Sequence, residues 1–152
     1  MRTIRMLSSA VLVGAMAVVT PGGAASAASP TTYTGVFEGG ILYNNCAPSK
    51  DSVPTTGTWS IVLKRTSANG TSATAKGAFD IFVNDVRHVS YVYPNMKLAP
   101  GWDEDSFSVS GRTAAGDLTV TLEDGVMTYT IAPYSLPGLS CTSVTYPGHQ
   151  TS

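Results

Sequence analysis

The sequence predicts an all-β fold, an antiparallel meander of about eight strands that closes or nearly closes into an up-and-down barrel. Three observations predict it. Beyond the first thirty residues no stretch keeps a 3.6-residue apolar period, and apolar residues instead alternate with polar ones at period two. The alternating runs are separated by turn-forming residues, in a 152-residue chain with 15 Gly and 9 Pro. The two cysteines, Cys46 and Cys141, stand just after the first run and just before the last. A two-sheet β-sandwich satisfies the same observations and stays open as the alternative.

The elements follow in order. Residues 33–43 place Phe37, Ile41 and Tyr43 on one parity, with Gly35, Gly39 and Gly40 marking a bend or bulge. Residues 58–65 align Trp59, Ile61 and Leu63. Residues 72–83 align Phe79, Ile81 and Val83, and a fourth run covers 86–93. After a longer loop, 106–112 sets Phe107 and Val109 against serines. Leu118, Val120 and Leu122 alternate with Thr119, Thr121 and Glu123, and Met127, Tyr129 and Ile131 alternate with Val126, Thr128 and Thr130. A last short strand spans 142–146.

Loop lengths make these faces agree. A two-residue primed turn at Asp124-Gly125 pairs Glu123 with Val126 and sets Leu122 opposite Met127. A turn over 113–116 sets Arg112 opposite Asp117 and Gly111 opposite Leu118. A five-residue loop over 67–71 sets Trp59 opposite Phe79. Three mutually consistent hairpins support the meander. The Asn84-Asp85 hairpin is ambiguous. A two-residue turn pairs Val83 with Val86 and sends His88 and Ser90 inward, whereas a three-residue loop pairs Val83 with Arg87 and sends Val89, Tyr91 and Tyr93 inward.

Residues 1–27 read as a cleaved export signal: Arg2 and Arg5, an apolar run from Met6 to Val19, then Ala25-Ser26-Ala27 as a small-x-small cleavage site. The run is too short for a comfortable membrane span. The expected mature product is a secreted, extracellular single domain over 28–152 with short flexible ends and no membrane attachment. In that setting Cys46 and Cys141 are expected to form one disulfide, which brings the first and last strands together. The formal net charge is -1 with only 12% charged residues, which excludes a nucleic-acid binder working through bulk basicity.

Candidate sites fall at both ends of the meander. Trp102 with Tyr93, Pro94, Met96 and Pro100 forms an expected aromatic, Pro-rich rim suited to stacking on a sugar or docking a partner. The other rim carries Tyr43, Asn44, Asn45, a loop over 47–56, and a loop over 133–140 with Tyr134, all stiffened by the disulfide. Such preorganised loops lose little ordering entropy on binding. Asp103-Glu104-Asp105 lacks EF-hand spacing and reads as a solvated acidic loop. No metal or cofactor motif is present. His149 lies near the end of the chain, where termini fray. His88 is the one imidazole placed to act as an interior base or ligand contact. The outward parity is rich in Ser and Thr, as solvated β faces are. Asn69-Gly70-Thr71 matches a glycosylation acceptor.

Gly57-Thr58-Trp59 resembles the Gly-x-Trp strand opening of the lipocalin and avidin-like barrels. The resemblance covers three residues. In those families the motif opens the first strand, whereas here a Gly-rich strand precedes it, so it implies a barrel and carries over no binding residues. The expected function is a secreted, non-catalytic binding module that presents loops or a barrel mouth to a ligand or an extracellular protein, with carbohydrate among the ligand classes. Its alternatives are an inhibitor of an extracellular hydrolase, and a small hydrolase or isomerase using His88.

Overall fold

A computed structural model describes residues 29–66, 72–84 and 86–152, the side chains of 86–89 excepted. The expected export signal and the Asn69-Gly70-Thr71 triplet lie outside the described residues. Among the described residues eleven strands form: β1 Thr31–Phe37, β2 Gly40–Asn44, β3 Val53–Arg65, β4 Ala73–Val83, β5 Val86–Leu98, β6 Ser106–Thr113, β7 Gly116–Glu123, β8 Val126–Ile131, β9 Tyr134–Leu136, β10 Leu139–Cys141 and β11 Ser143–Gln150.

Period-two burial writes the architecture. β1 and β2 are two halves of one bent strand, hinged at Gly39 (φ +90°), and both lie between β11 and β3. From there β3 to β8 follow as a meander, and β8 pairs with β11, so eight strand positions close an antiparallel barrel. This is the barrel and not the sandwich. The expected registers hold: Trp59 opposite Phe79, Gly111 opposite Leu118 and Leu122 opposite Met127. Asp124 (φ +49°) and Gly125 (φ +79°) both adopt the left-handed conformation of a primed turn.

The interior is filled by side chains. Phe37, Trp59, Phe79, Val109, Leu118, Leu122, Met127 and Tyr129 are all buried. The Tyr129 ring meets those of Phe79 and Phe37 at 5.0 and 6.1 Å. Each such side chain contributes about 1.5–3 kcal/mol when taken out of water. Trp59 needs the glycines around it, because a Cβ on Gly35 would stand 2.4 Å from its indole. The Gly of Gly57-Thr58-Trp59 has its own local cause. At φ +143° its backbone approaches Asp80 so closely that a Cβ would stand 1.9 Å from the Asp80 carbonyl oxygen.

Strand β5 carries the irregularity that resolves the Asn84-Asp85 ambiguity. Val83 pairs with Val86, as a two-residue turn requires, and Ile81 pairs with Val89 while Phe82 pairs with Arg87. The extra residue, His88, is a bulge that flips the parity and sets Tyr91 opposite Phe79. Both alternatives are therefore partly realised. A second bulge, between the Gly77–Tyr93 and Ala75–Met96 pairs, accommodates Pro94.

Three expectations need correction. The loop over 47–56 is shorter, since β3 starts at Val53, and the loop over 133–140 is the small hairpin β9–β10. The chain's C-terminal end is not frayed. His149 lies in β11, paired with Val36 and Val126, and the next residues hydrogen-bond Thr34 through Thr151 N (2.8 Å) and Ser152 N (3.2 Å). Backbone pairing on both flanks outweighs proximity to the terminus.

Candidate functional site: a tyrosine-lined mouth at the stapled rim

At one barrel end the chain turns at Asn44 and Asn45 into Cys46, and Cys141 leads into β11. The two cysteines are bonded, with α-carbons 4.0 Å apart. Between Ile131 and Ser143 the hairpin β9–β10 folds over this rim. Leu136 pairs with Leu139 across Pro137-Gly138, where Pro followed by a Gly at φ +80° is the type II turn signature. Backbone bonds tie the hairpin down, from Ser135 N to Ala115 O (2.8 Å) and from Ser140 N to Ala47 O (3.1 Å).

Beneath the hairpin lies a cleft of about 180 Å³, lined by Ile81, Tyr91, Ala115, Tyr129, Ile131, Tyr134, Leu136 and Tyr146. Its lining is uncharged. The Tyr129 and Tyr146 rings stand 5.6 Å apart at 87°, and Tyr91 packs on Tyr93 at 5.8 Å. Tyr93 Oη lies 3.3 Å from Tyr129 Oη, a hydrogen bond in which either phenol donates. Tyr43 flanks this group, with Lys50 Nζ 5.7 Å above its ring. Burial pushes the Tyr129 phenol far up from its ordinary value, and its hydrogen bond with Tyr93 adds to the rise where Tyr129 is the donor. Tyr146 is also pushed up, by burial first and then by the phenols of Tyr134, Tyr43 and Tyr91. Of the seven tyrosines, only Tyr33 lies outside this group, beside Phe107 toward the other rim.

The expected site residues therefore divide. Tyr43 and Tyr134 do meet at the stapled rim, next to Cys46 and Cys141. Asn44 and Asn45 are exposed and shape the turn: Asn44 O accepts from Thr142 N (3.0 Å) and Asn45 has φ +47°. Tyr93 does not join Trp102. Because β5 continues to Leu98, Tyr93 is a half-buried wall residue of the tyrosine group, and Met96 is buried core. The side chain of His88 lies outside the described residues. Tyr91, Tyr146 and Leu136 complete the mouth without having been singled out, and the Leu136-Pro137-Gly138-Leu139 turn signal was the one cue to the hairpin.

The opposite rim is built differently. Arg65 stacks over Trp102 at 5.2 Å and donates to Glu104 Oε1 at 2.7 Å, so the indole face is already occupied by a cation. Asp103 Oδ1 accepts from the backbone N–H of Asp105 (2.9 Å) and Ser106 (2.7 Å), which makes the acidic loop a side-chain-capped turn. His149, the other imidazole, is paired with Glu38 at 2.7 Å on the outer surface.

A larger hollow, about 450 Å³, lies on the outer face of β1, β3, β4 and β5. Size alone would favour it. It is more open, however; of its aromatic members Trp59 and Phe79 are buried on the inner side, and the half-buried Tyr91 is shared with the mouth. Elsewhere on the outer wall the threonines bond one another, Thr121 to Thr128 at 2.6 Å and Thr130 to Thr145 at 3.0 Å. We regard the smaller, more enclosed mouth as the better site.

No family, curated protein or solved structure matches the chain.

Proposed function

We propose that the protein is an exported, non-catalytic binding module whose tyrosine-lined mouth engages an extracellular protein. One observation carries the reading: rings from β5, β8, β9 and β11 converge on a cleft of about 180 Å³ under a disulfide-anchored hairpin. That volume falls below the roughly 300–1,000 Å³ of sites for drug-sized ligands, and suits a single inserted side chain. Tyrosines supply large, rigid contact area with an adaptable hydroxyl, and buried aromatic pockets anchor protein interfaces. Leu136, 42% exposed on the hairpin, extends the apolar surface outward.

The barrel interior, packed with Phe37, Trp59, Phe79 and Tyr129, supports a role played at the rim. The same features suit an inhibitor of an extracellular hydrolase, since an ordered, pinned hairpin is the part such a protein would present. Export itself rests on the leader-like residues 1–27.

The test is capture from native culture medium by the purified chain and two surface variants. Leu136→Asp should abolish recovery of the partner and Trp102→Ala should retain it. Loss with Trp102→Ala alone, or retention by both variants, would overturn the reading. N-terminal sequencing of the secreted protein should begin at Ala28.

A further inference from the structure

The seam beside the mouth has a second property. β5 pairs with β4 through eight residue pairs, but with β6 only through Lys97–Ser110 and Leu98–Val109. The ladder continues from Ala99 N to Ser108 O (2.8 Å), toward the Trp102 rim and away from the mouth. Among the described residues, the β5 edge over 90–95 therefore has no strand partner on its β6 side. Across the gap, Gly111, Arg112 and Thr113 pair only with β7. The gap has a structural cause. The extra residue at Pro94-Asn95 turns β5 away from β6, and the Tyr93 ring lies against Gly111, 3.6 Å from where a Cβ would stand.

An unpaired strand edge is a row of unmet N–H and C=O groups, a template for another strand. Natural barrels remove such edges by pairing them along their length, and in this closed barrel the β5–β6 seam is paired at one end alone. Pro94, which has no N–H, ends the template on one side. The usable stretch is Ser90, Tyr91, Val92 and Tyr93, roughly 13 Å of extended chain. Ser90 and Val92 are exposed, Val92 at 75%, and Tyr91 lines the mouth. A strand laid on this edge would thus run past the cleft, where every second side chain turns toward it.

We infer that the partner docks by strand addition: an extended segment pairs its backbone with the β5 edge at 90–93 and inserts one uncharged apolar or aromatic side chain into the tyrosine-lined cleft. The uncharged lining selects against a charged side chain, which would lose its hydration there without a counter-charge. Backbone pairing supplies affinity and the cleft supplies selectivity. This rests on the binding-module reading and adds its mode.

The probe is a random peptide library displayed on phage and panned on the full chain, with the best sequence then synthesised with and without N-methylation of alternate backbone amides. The enriched sequences should be extended, Pro-poor and carry one large apolar residue. The unmodified peptide should slow amide exchange at residues 90–93. N-methylation on one alternating set should weaken binding roughly tenfold or more, as the loss of two or more hydrogen bonds implies, and on the other set should leave it unchanged. Equal binding by both methylated forms, protection confined to other strands, or no enriched peptide would overturn strand addition. Binding that tolerates both methylations yet is lost in Leu136→Asp would retire the pairing mode and leave the mouth as the docking site.

Discussion

Cys46 and Cys141 join the end of the first strand position to the start of the last, across 95 residues of sequence. Cross-linking so long a loop removes much conformational freedom from the unfolded chain, worth about 4–5 kcal/mol on the chain-entropy account. The β1–β11, β2–β11 and β11–β8 ladders still close the barrel without the bond. The double variant Cys46→Ser/Cys141→Ser should therefore keep its far-ultraviolet circular dichroism and lose about 2–5 kcal/mol in denaturant unfolding. Unchanged stability would show that the staple does not constrain the unfolded chain.

Gly35 is held to glycine by two neighbours at once. A Cβ there would stand 2.1 Å from the His149 carbonyl oxygen and 2.4 Å from the Trp59 indole. Neither yields easily, since one is backbone and the other fully buried. Gly35→Ala should cost about 1–3 kcal/mol or more, the range for overpacked cores. Gly125→Ala, where nothing lies within 4 Å of the added carbon, should suffer only from its φ of +79°. Urea unfolding of both separates packing from backbone strain.

Raised phenol pKa values fix the response to alkali. In the unfolded chain tyrosines ionise near pH 10, whereas in the fold Tyr129 and Tyr146 hold their protons to higher pH. Above about pH 10 the unfolded state binds fewer protons than the native one, so stability falls as pH rises, and is fully present below. Phenolate absorbance near 295 nm should rise in two stages, with the buried pair appearing only as the barrel unfolds. A single smooth titration of all seven tyrosines near pH 10 would contradict this.

The registers of the hairpins were legible because period-two alternation and turn length together leave one consistent pairing, as at Asp124-Gly125 and over 113–116. The bulge at His88 was not. A bulge adds one residue without changing composition, and either turn length alone explained half the pattern. The same blindness put Tyr93 with Trp102. Sequence distance suggested a shared rim, but Pro94 read as a strand end when it occupies a bulge inside β5. The mouth was half legible. Tyr43 and Tyr134 followed from the cysteines, while Tyr91 was inward in one of two hairpin alternatives and Tyr146 was read as the end of the last strand, until closure brought them together.

The imidazoles give a fourth expectation. The His149–Glu38 pair is exposed, with side chains 43% and 63% accessible, and such pairs contribute less than about 1 kcal/mol. Glu38→Gln should shift the unfolding midpoint only slightly, and less still at high salt. His88→Ala should leave partner capture intact. Loss of any turnover in that correctly folded variant would restore the catalytic alternative, and loss of capture would make His88 a partner contact.

The most direct measurement is site-specific photo-cross-linking in native extracellular fluid. A benzophenone side chain introduced at Leu136, and separately at Trp102, reports which end of the barrel a partner covers. The expected result is a discrete adduct from position 136 that a competing excess of unmodified protein removes, with none from position 102. An adduct at 102 alone, or at neither, would contradict a mouth built to bind.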